Sequence, residues 1–173
     1  VENGLLPAAK DSAKVRVFDF SLRASLEAAC DVSSYDTRNV FNAGIVDGAG
    51  GNADQSVTFV NNHDFRDGSQ MVDVNPELAY AYILTNPFLG LPSIFYPDYY
   101  GINLPTGPDA FLKSEIDLLI NIQNKHLQGA AAIDKINRFS SPYSIEVLSG
   151  DLGRTLAYYI KDGGAQDDDA LVV

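Results

Sequence analysis

The sequence predicts an α/β fold in which three strand–helix units lead into an antiparallel sheet. Short β-branched or aromatic runs alternate with segments of helical periodicity up to about residue 128. These runs are short and rich in β-branched and aromatic residues, as strands buried on both faces of a parallel sheet are. After Ala132 the spacing changes to strand, turn, strand, with glycine in the turns.

Val15-Arg16-Val17-Phe18-Asp19-Phe20 is the first such run. A helix follows from Ser21 as N-cap, because Leu22, Leu26, Ala29 and Cys30 recur at spacings of three and four and form one apolar face. Residues 31–55 hold Gly44, Gly48, Gly50 and Gly51 among Asn and Asp, a turn-forming composition with room for one short helical turn. Ser56-Val57-Thr58-Phe59-Val60 is a second buried strand and runs straight into Asn61-Asn62-His63-Asp64. Asn75-Pro76-Glu77 opens the next helix with a capping side chain, a proline preset for the first turn and an acid at the positive end of the dipole. That helix, Leu78 to Thr85, is apolar nearly all round and needs covering on more than one side. Leu91 to Tyr96 is a third strand, ending in Pro97-Asp98-Tyr99-Tyr100-Gly101. A last helix spans Ala110 to Leu127, with Glu115 and Asp117 early, Lys125 and His126 late and Gly129 as its stop. Strands are expected at Tyr143–Leu148, Thr155–Ile160 and Ala170–Val173, with turns at Gly150–Gly153 and Asp162–Gly164 and a domain boundary near residues 135–142. Asp167-Asp168-Asp169 reads as a solvated loop rather than a cation site.

Composition narrows the function classes. With 46% hydrophobic and 20% charged residues the chain can bury a core, which excludes a disordered or collagen-like polymer. Twelve Lys and Arg against 23 Asp and Glu leave a net charge of −11, and the basic residues form no patch, so neither nucleic acid nor a membrane surface is an expected partner. No apolar run reaches the roughly 18–20 residues that cross a bilayer, and nothing resembles a signal peptide. Cys30 is the sole cysteine, so an intramolecular disulfide and a cysteine-ligated metal cluster are excluded. The compartment stays undecided, with a secreted or extracellular location favoured over a cytoplasmic one. The chain begins at Val1 and stops within the apolar run Ala170-Leu171-Val172-Val173, which reads as a strand cut in its middle and leads us to expect a longer protein.

His63 and Asp64 close a buried strand, and in α/β barrels catalytic groups come from strand C-terminal ends. On spacing alone, a second reading stands beside this one, with Asp64 capping the following turn and His63 a satisfied imidazole. Val57-Thr58-Phe59-Val60-Asn61-Asn62-His63-Asp64 resembles the Phe-Val-Asp-Asn-His-Asp strand of the α-amylase family of glycoside hydrolases. Val17-Phe18-Asp19-Phe20-Ser21-Leu22 is similar to that family's sixth barrel strand. Tyr35-Asp36-Thr37-Arg38-Asn39-Val40 is similar to the segment before strand seven in bacterial liquefying-type amylases. Leu78 to Thr85 and Gly90 to Gly101 resemble that group's helix seven and strand eight, so the likeness runs in order over residues 15–128.

The resemblance implies a partial (β/α)8 TIM barrel, units six to eight, over residues 1–138, followed over 139–173 by the truncated start of an antiparallel β-sandwich domain. A complete barrel takes about 250 residues, so strands one to five are expected upstream. The implied activity is endo-hydrolysis of α-1,4-glucosidic bonds in starch-type glucans with retention of configuration. The implied partner is an α-glucan or maltooligosaccharide. The alternatives are a family transglycosylase (glucanotransferase) and a non-catalytic glucan-binding or scaffold member. By the same resemblance Asp64 is the transition-state-stabilising carboxylate and His63 a substrate-binding donor. The nucleophile and acid/base belong to absent strands, so the isolated chain is expected to be inactive and to self-associate through exposed barrel edges. The resemblance implies no cofactor and no metal ligand here, and allows calcium in the full-length protein. Asn61 departs from the family's usual Asp or Glu and is expected in the packing shell. Pro97 stands where liquefying amylases carry Gly and is expected to reshape the loop after strand eight. Tyr96, Tyr99 and Tyr100 are read as packing under that loop rather than stacking on sugar. Arg66 is read as an ion pair with Asp67, His126 as a helix-dipole partner, and Asp19 as a satisfied buried carboxylate or helix cap.

Overall fold

A computed structural model of the chain describes residues 15–65, 70–102, 111–143 and 152–173. The expected Arg66–Asp67 pair, the helix start at Ala110 and nearly all of the strand expected at Tyr143–Leu148 lie outside these residues.

Strands β1 (Val17–Phe18), β2 (Ser56–Phe59) and β3 (Leu91–Ser93) form a parallel sheet in the order β1-β2-β3, with Val17 beside Ser56 and Val57 beside Leu91. Helix α1 (Phe20–Asp31) follows β1, α2 (Pro76–Thr85) follows β2, and α3 (Tyr96–Tyr100) and α4 (Lys113–Ile122) follow β3.

Helix α1 starts before Ser21, and its cap is Asp19. Where β1 ends, the Asp19 carboxylate accepts from the Leu22 amide at 2.9 Å and from the Ile45 amide at 2.8 Å, so one buried side chain satisfies a helix terminus and a distant turn. Gly44, at φ +87°, lies against it; a Cβ there would sit 2.6 Å from Asp19 Oδ2. Residues 31–55 hold three short helical turns rather than one, Thr37–Asn42, Gly44–Gly48 and Ala53–Gln55. Pro76 opens α2 as expected, but Asn75 does not cap it; its amide donates to Cys30 O at 3.3 Å. Of the residues in α2, Ala79, Tyr80, Tyr82, Ile83 and Leu84 are all buried, so most of its apolar circumference is covered, while Leu78 in its first turn is exposed.

The third strand is shorter than Leu91–Tyr96. Pro97 fixes a helical φ in the first turn of α3, which then stops at Gly101 in the left-handed conformation. Helix α4 continues into a single π turn, Gln123–Leu127, and Gly129 ends the segment at φ +76°.

An antiparallel sheet follows, in the order β4 (Ala132–Lys135), β5 (Tyr158–Gly163), β6 (Asp168–Val172). Strand β4 starts ahead of the boundary region read from the sequence, β5 is displaced by three residues from the expected span, and β6 starts two residues and ends one residue earlier than expected. Asp167-Asp168-Asp169 is not a free acidic loop. Asp168 and Asp169 lie in β6, Asp168 Oδ2 meets His126 Nδ1 at 2.6 Å, and Asp169 accepts from Tyr159 Oη at 2.6 Å. His126 is thus tied to a carboxylate across the fold as well as sitting late in its helix.

Both sheets share one core. Leu22 and Leu26 of α1, Tyr82 and Ile83 of α2 and Ile116 of α4 pack in the same cluster as Tyr158 and Ile160 of β5. Tyr158 meets Phe41 and Tyr82 edge-to-face at 6.2 and 5.7 Å between ring centres. Gly163 and Gly164 allow β5 to reach the turn after α4; a Cβ on Gly163 would lie 2.2 Å from His126 O. Among the described residues no helix is long and apolar enough to cross a membrane.

Candidate functional site

The site is built on the end of β2. Phe59 is its last strand residue and the centre of an aromatic cluster, with Phe18 and Phe20 edge-on at 5.3 and 5.0 Å and Phe65 stacked at 6.2 Å. Val60 and Asn61 are still buried, and then the chain surfaces. The Asn62 side chain accepts from the Asp64 amide at 2.9 Å and forms an Asx turn that carries His63 and Asp64 outward. His63 Nε2 lies 3.3 Å from Asp64 Oδ1, and the two side chains are 84% and 64% exposed. Asn62, not Asp64, closes the turn, and His63 is not a packed imidazole. The structure therefore brings the two residues singled out from the sequence together, facing solvent at the C-terminal end of the middle strand.

Two buried groups beneath the turn are invisible in the sequence pattern. Arg23, on α1, is 5% exposed. Its Nε donates to Val60 O at 3.1 Å, its Nη1 to Glu27 Oε2 at 2.6 Å and its Nη2 to Gln70 O, and its guanidinium lies 4.0 Å from the centre of the Phe65 ring. Burial lowers the Arg23 pKa, and the nearby Glu27 and Asp31 oppose that shift. A helical arginine ordinarily reads as a solvated face, so only the tertiary structure reveals it.

The second group is a network around Asp98. Asn61 lies in the packing shell, as its place in the strand predicts. Its amide donates to Val72 O at 3.2 Å and to Asp98 Oδ2 at 3.1 Å, and its carbonyl accepts from the Val72 amide at 2.9 Å. Asp98 also accepts from Tyr80 Oη at 2.7 Å, and Tyr80 Oη accepts from the Phe95 amide at 3.2 Å. Burial raises the Asp98 pKa, against the hydrogen bonds from Tyr80 and Asn61. The Tyr80 phenol is held well above its ordinary pKa by burial first and by the Asp98 charge second.

The tyrosines after β3 do not pack as expected. Tyr96 and Tyr100 are 61% and 49% exposed with ring centres 4.5 Å apart, while Tyr99 donates to Asp117 at 2.6 Å and accepts from Lys113 at 2.8 Å. Pro97 lies in the first turn of the short helix α3 that follows β3. An apolar cavity of about 400 Å³ lies between α1, α2 and the second sheet, lined by Leu26, Cys30, Tyr82 and Tyr158 among others and by neither His63 nor Asp64. Among the described residues no group of three or more His, Cys, Asp or Glu side chains is placed to hold a metal ion.

No protein-family model matches the chain. A glucan 1,4-alpha-maltohexaosidase of Bacillus sp. (strain 707) is 38% identical over 118 residues, covering 65% of this chain and 22% of that protein. An alpha-amylase of Geobacillus stearothermophilus is 43% identical over 81 residues, covering 43% of this chain and 14% of that protein. The chain thus spans about a fifth or less of the length of these curated relatives.

Proposed function

We propose that this chain, whose matched portion belongs to the α-amylase family, is part of an α-amylase-like glycoside hydrolase that cleaves internal α-1,4-glucosidic bonds of starch-type glucans with retention. In this reading β1, β2 and β3 are strands six, seven and eight of a (β/α)8 barrel. The barrel part then ends before β4, earlier than the expected residue 138, because β4 pairs with β5 in the antiparallel sheet, and that sheet is the start of an all-β domain. The observation that carries the proposal is the exposed His63–Asp64 pair at the C-terminal end of the central strand of a parallel sheet, the rim where α/β barrels place their chemistry.

Retaining glycosidases use a nucleophilic carboxylate and an acid/base carboxylic acid about 5–5.5 Å apart. We assign those two to strands outside this chain and give Asp64 a third task. Its carboxylate accepts hydrogen bonds from hydroxyls of the sugar at the cleavage point, and these tighten as positive charge develops on the flattening ring. His63, beside it, donates to the same sugar. No step here runs through calcium, which the family resemblance allows in the longer protein. The outer strands carry exposed Phe18 and Leu91, each more than half accessible, which supports their being covered by neighbouring strands in the longer protein and by self-association when the chain stands alone.

The test is Asp64→Asn in the full-length protein, assayed on a maltooligosaccharide of defined length. Loss of about 3 kcal/mol of transition-state binding lowers kcat roughly 100-fold with little change in KM. Near-normal turnover would overturn the assignment. Residues 1–173 alone are expected to release no reducing sugar from starch.

A further inference from the structure

We propose that Arg23 is the positioning residue of the His63–Asp64 turn, a single guanidinium from α1 that pins the turn where it leaves the sheet, where it returns, and at the residue that follows Asp64. The proposal rests on the reading of Asp64 as the sugar-binding carboxylate.

The three anchor points come from different parts of the excursion. Arg23 Nε holds Val60 O, the last main-chain carbonyl before Asn61, at 3.1 Å, while Nη2 holds Gln70 O on the far side of the turn. The flat face of the same guanidinium lies 4.0 Å over Phe65, the residue next to Asp64. Phe65 is in turn stacked on Phe59 of β2, so its ring is sandwiched between a strand residue and a helix cation. A shift of Phe65 therefore drags Asp64 with it. Glu27 balances the charge from one helical turn along at 2.6 Å, which leaves the remaining donors free to grip carbonyls.

Burying a cation against backbone carbonyls is a poor way to stabilise a core, because an apolar side chain of the same volume would do so without desolvation. What the guanidinium adds is geometry: a rigid planar fork satisfies two carbonyls and stacks on a ring at once, which a lysine ammonium on a flexible stem cannot do. That arrangement suits a turn whose outward side chains must hold one position without being packed themselves.

The test uses the full-length protein, a maltooligosaccharide substrate and temperatures well below melting. Arg23→Met and Phe65→Leu are each expected to lower kcat per folded molecule by roughly 10- to 100-fold with KM within about threefold, the signature of a misplaced group rather than lost ground-state binding. Amide exchange from Asn61 to Phe65 is expected to quicken while exchange in α4 stays as in the parent. Arg23→Lys is expected to restore part of kcat. Phe65→Leu leaves the buried cation in place and decides the question by the same two readouts if Arg23→Met does not fold. Wild-type kcat in a folded variant, or slow turnover with unchanged exchange in this segment, overturns the proposal. Unchanged kcat in Asp64→Asn overturns instead the reading on which it rests.

Discussion

Tyr80→Phe removes one oxygen atom from the centre of the buried network and leaves the ring, its volume and its packing in place. Two partners lose by it. Asp98 loses the 2.7 Å donor that faces its charge and keeps only Asn61, and the Phe95 amide loses its 3.2 Å acceptor. A hydrogen bond to a buried charge contributes about 1.5–3 kcal/mol and a neutral one about 1 kcal/mol, so the expected destabilisation is roughly 2–4 kcal/mol, a large share of a typical 5–15 kcal/mol total. The loss depends on pH in a definite direction. The folded pKa of Asp98 is raised above its unfolded value by burial, so its ionisation costs folded stability as pH rises through the folded pKa, and the protonated form is favoured below the unfolded value. The Tyr80 hydrogen bond opposes that shift, and deleting it raises the folded pKa further. The gap between the parent and Tyr80→Phe is therefore smallest in acid and widens toward neutral pH. Urea unfolding at several pH values, with Asp98→Leu and the double variant completing a cycle, measures it. A coupling energy below about 0.5 kcal/mol, or a gap that narrows as pH rises, would refute the reasoning.

Gly163→Ala brings a Cβ to 2.2 Å from His126 O, a backbone atom that cannot swing aside; we expect a loss of about 3 kcal/mol or more by thermal or denaturant unfolding. Asp19→Ala orphans the Leu22 and Ile45 amides together, and the lost cap plus a second buried unpaired N–H amount to about 2–4 kcal/mol, with faster exchange at both amides. Burial pushes the Cys30 thiol up to about 12, with the Asp31 and Glu77 charges adding to it. Iodoacetamide at pH 8 should accordingly modify the folded protein far more slowly than the urea-unfolded one, as read by mass spectrometry.

The parallel sheet and the three longer helices were legible because their signals are local. β-Branched runs mark β1 and β2, and Pro76, Glu77 and Gly129 sit where helix ends call for them. Strand β4 was not legible, because Ala132–Lys135 owes its extended state to pairing Ile133 with Ile160 in β5 rather than to its own composition. The helix at Tyr96–Tyr100 carried a readable sign in Pro97, overridden in the sequence by the apolar run before it. At the site, His63 and Asp64 could be singled out because the sequence resembles a family's motif at the end of a strand. Arg23 and Asp98 could not, because nothing in a heptad or an alternation tells a buried charge from a solvated one. Asp19 was partly readable: both roles foreseen for it, buried carboxylate and cap, hold at once.

Asn61 offers one carboxamide to both the amide and the carbonyl of Val72, the same pair of bonds that a neighbouring strand would make. A side chain thus imitates a peptide group and seals the neck of the excursion between β2 and α2. Removing that carboxamide would therefore untie the end of β2 from the approach to α2, and with it the fixed base from which the His63–Asp64 turn projects.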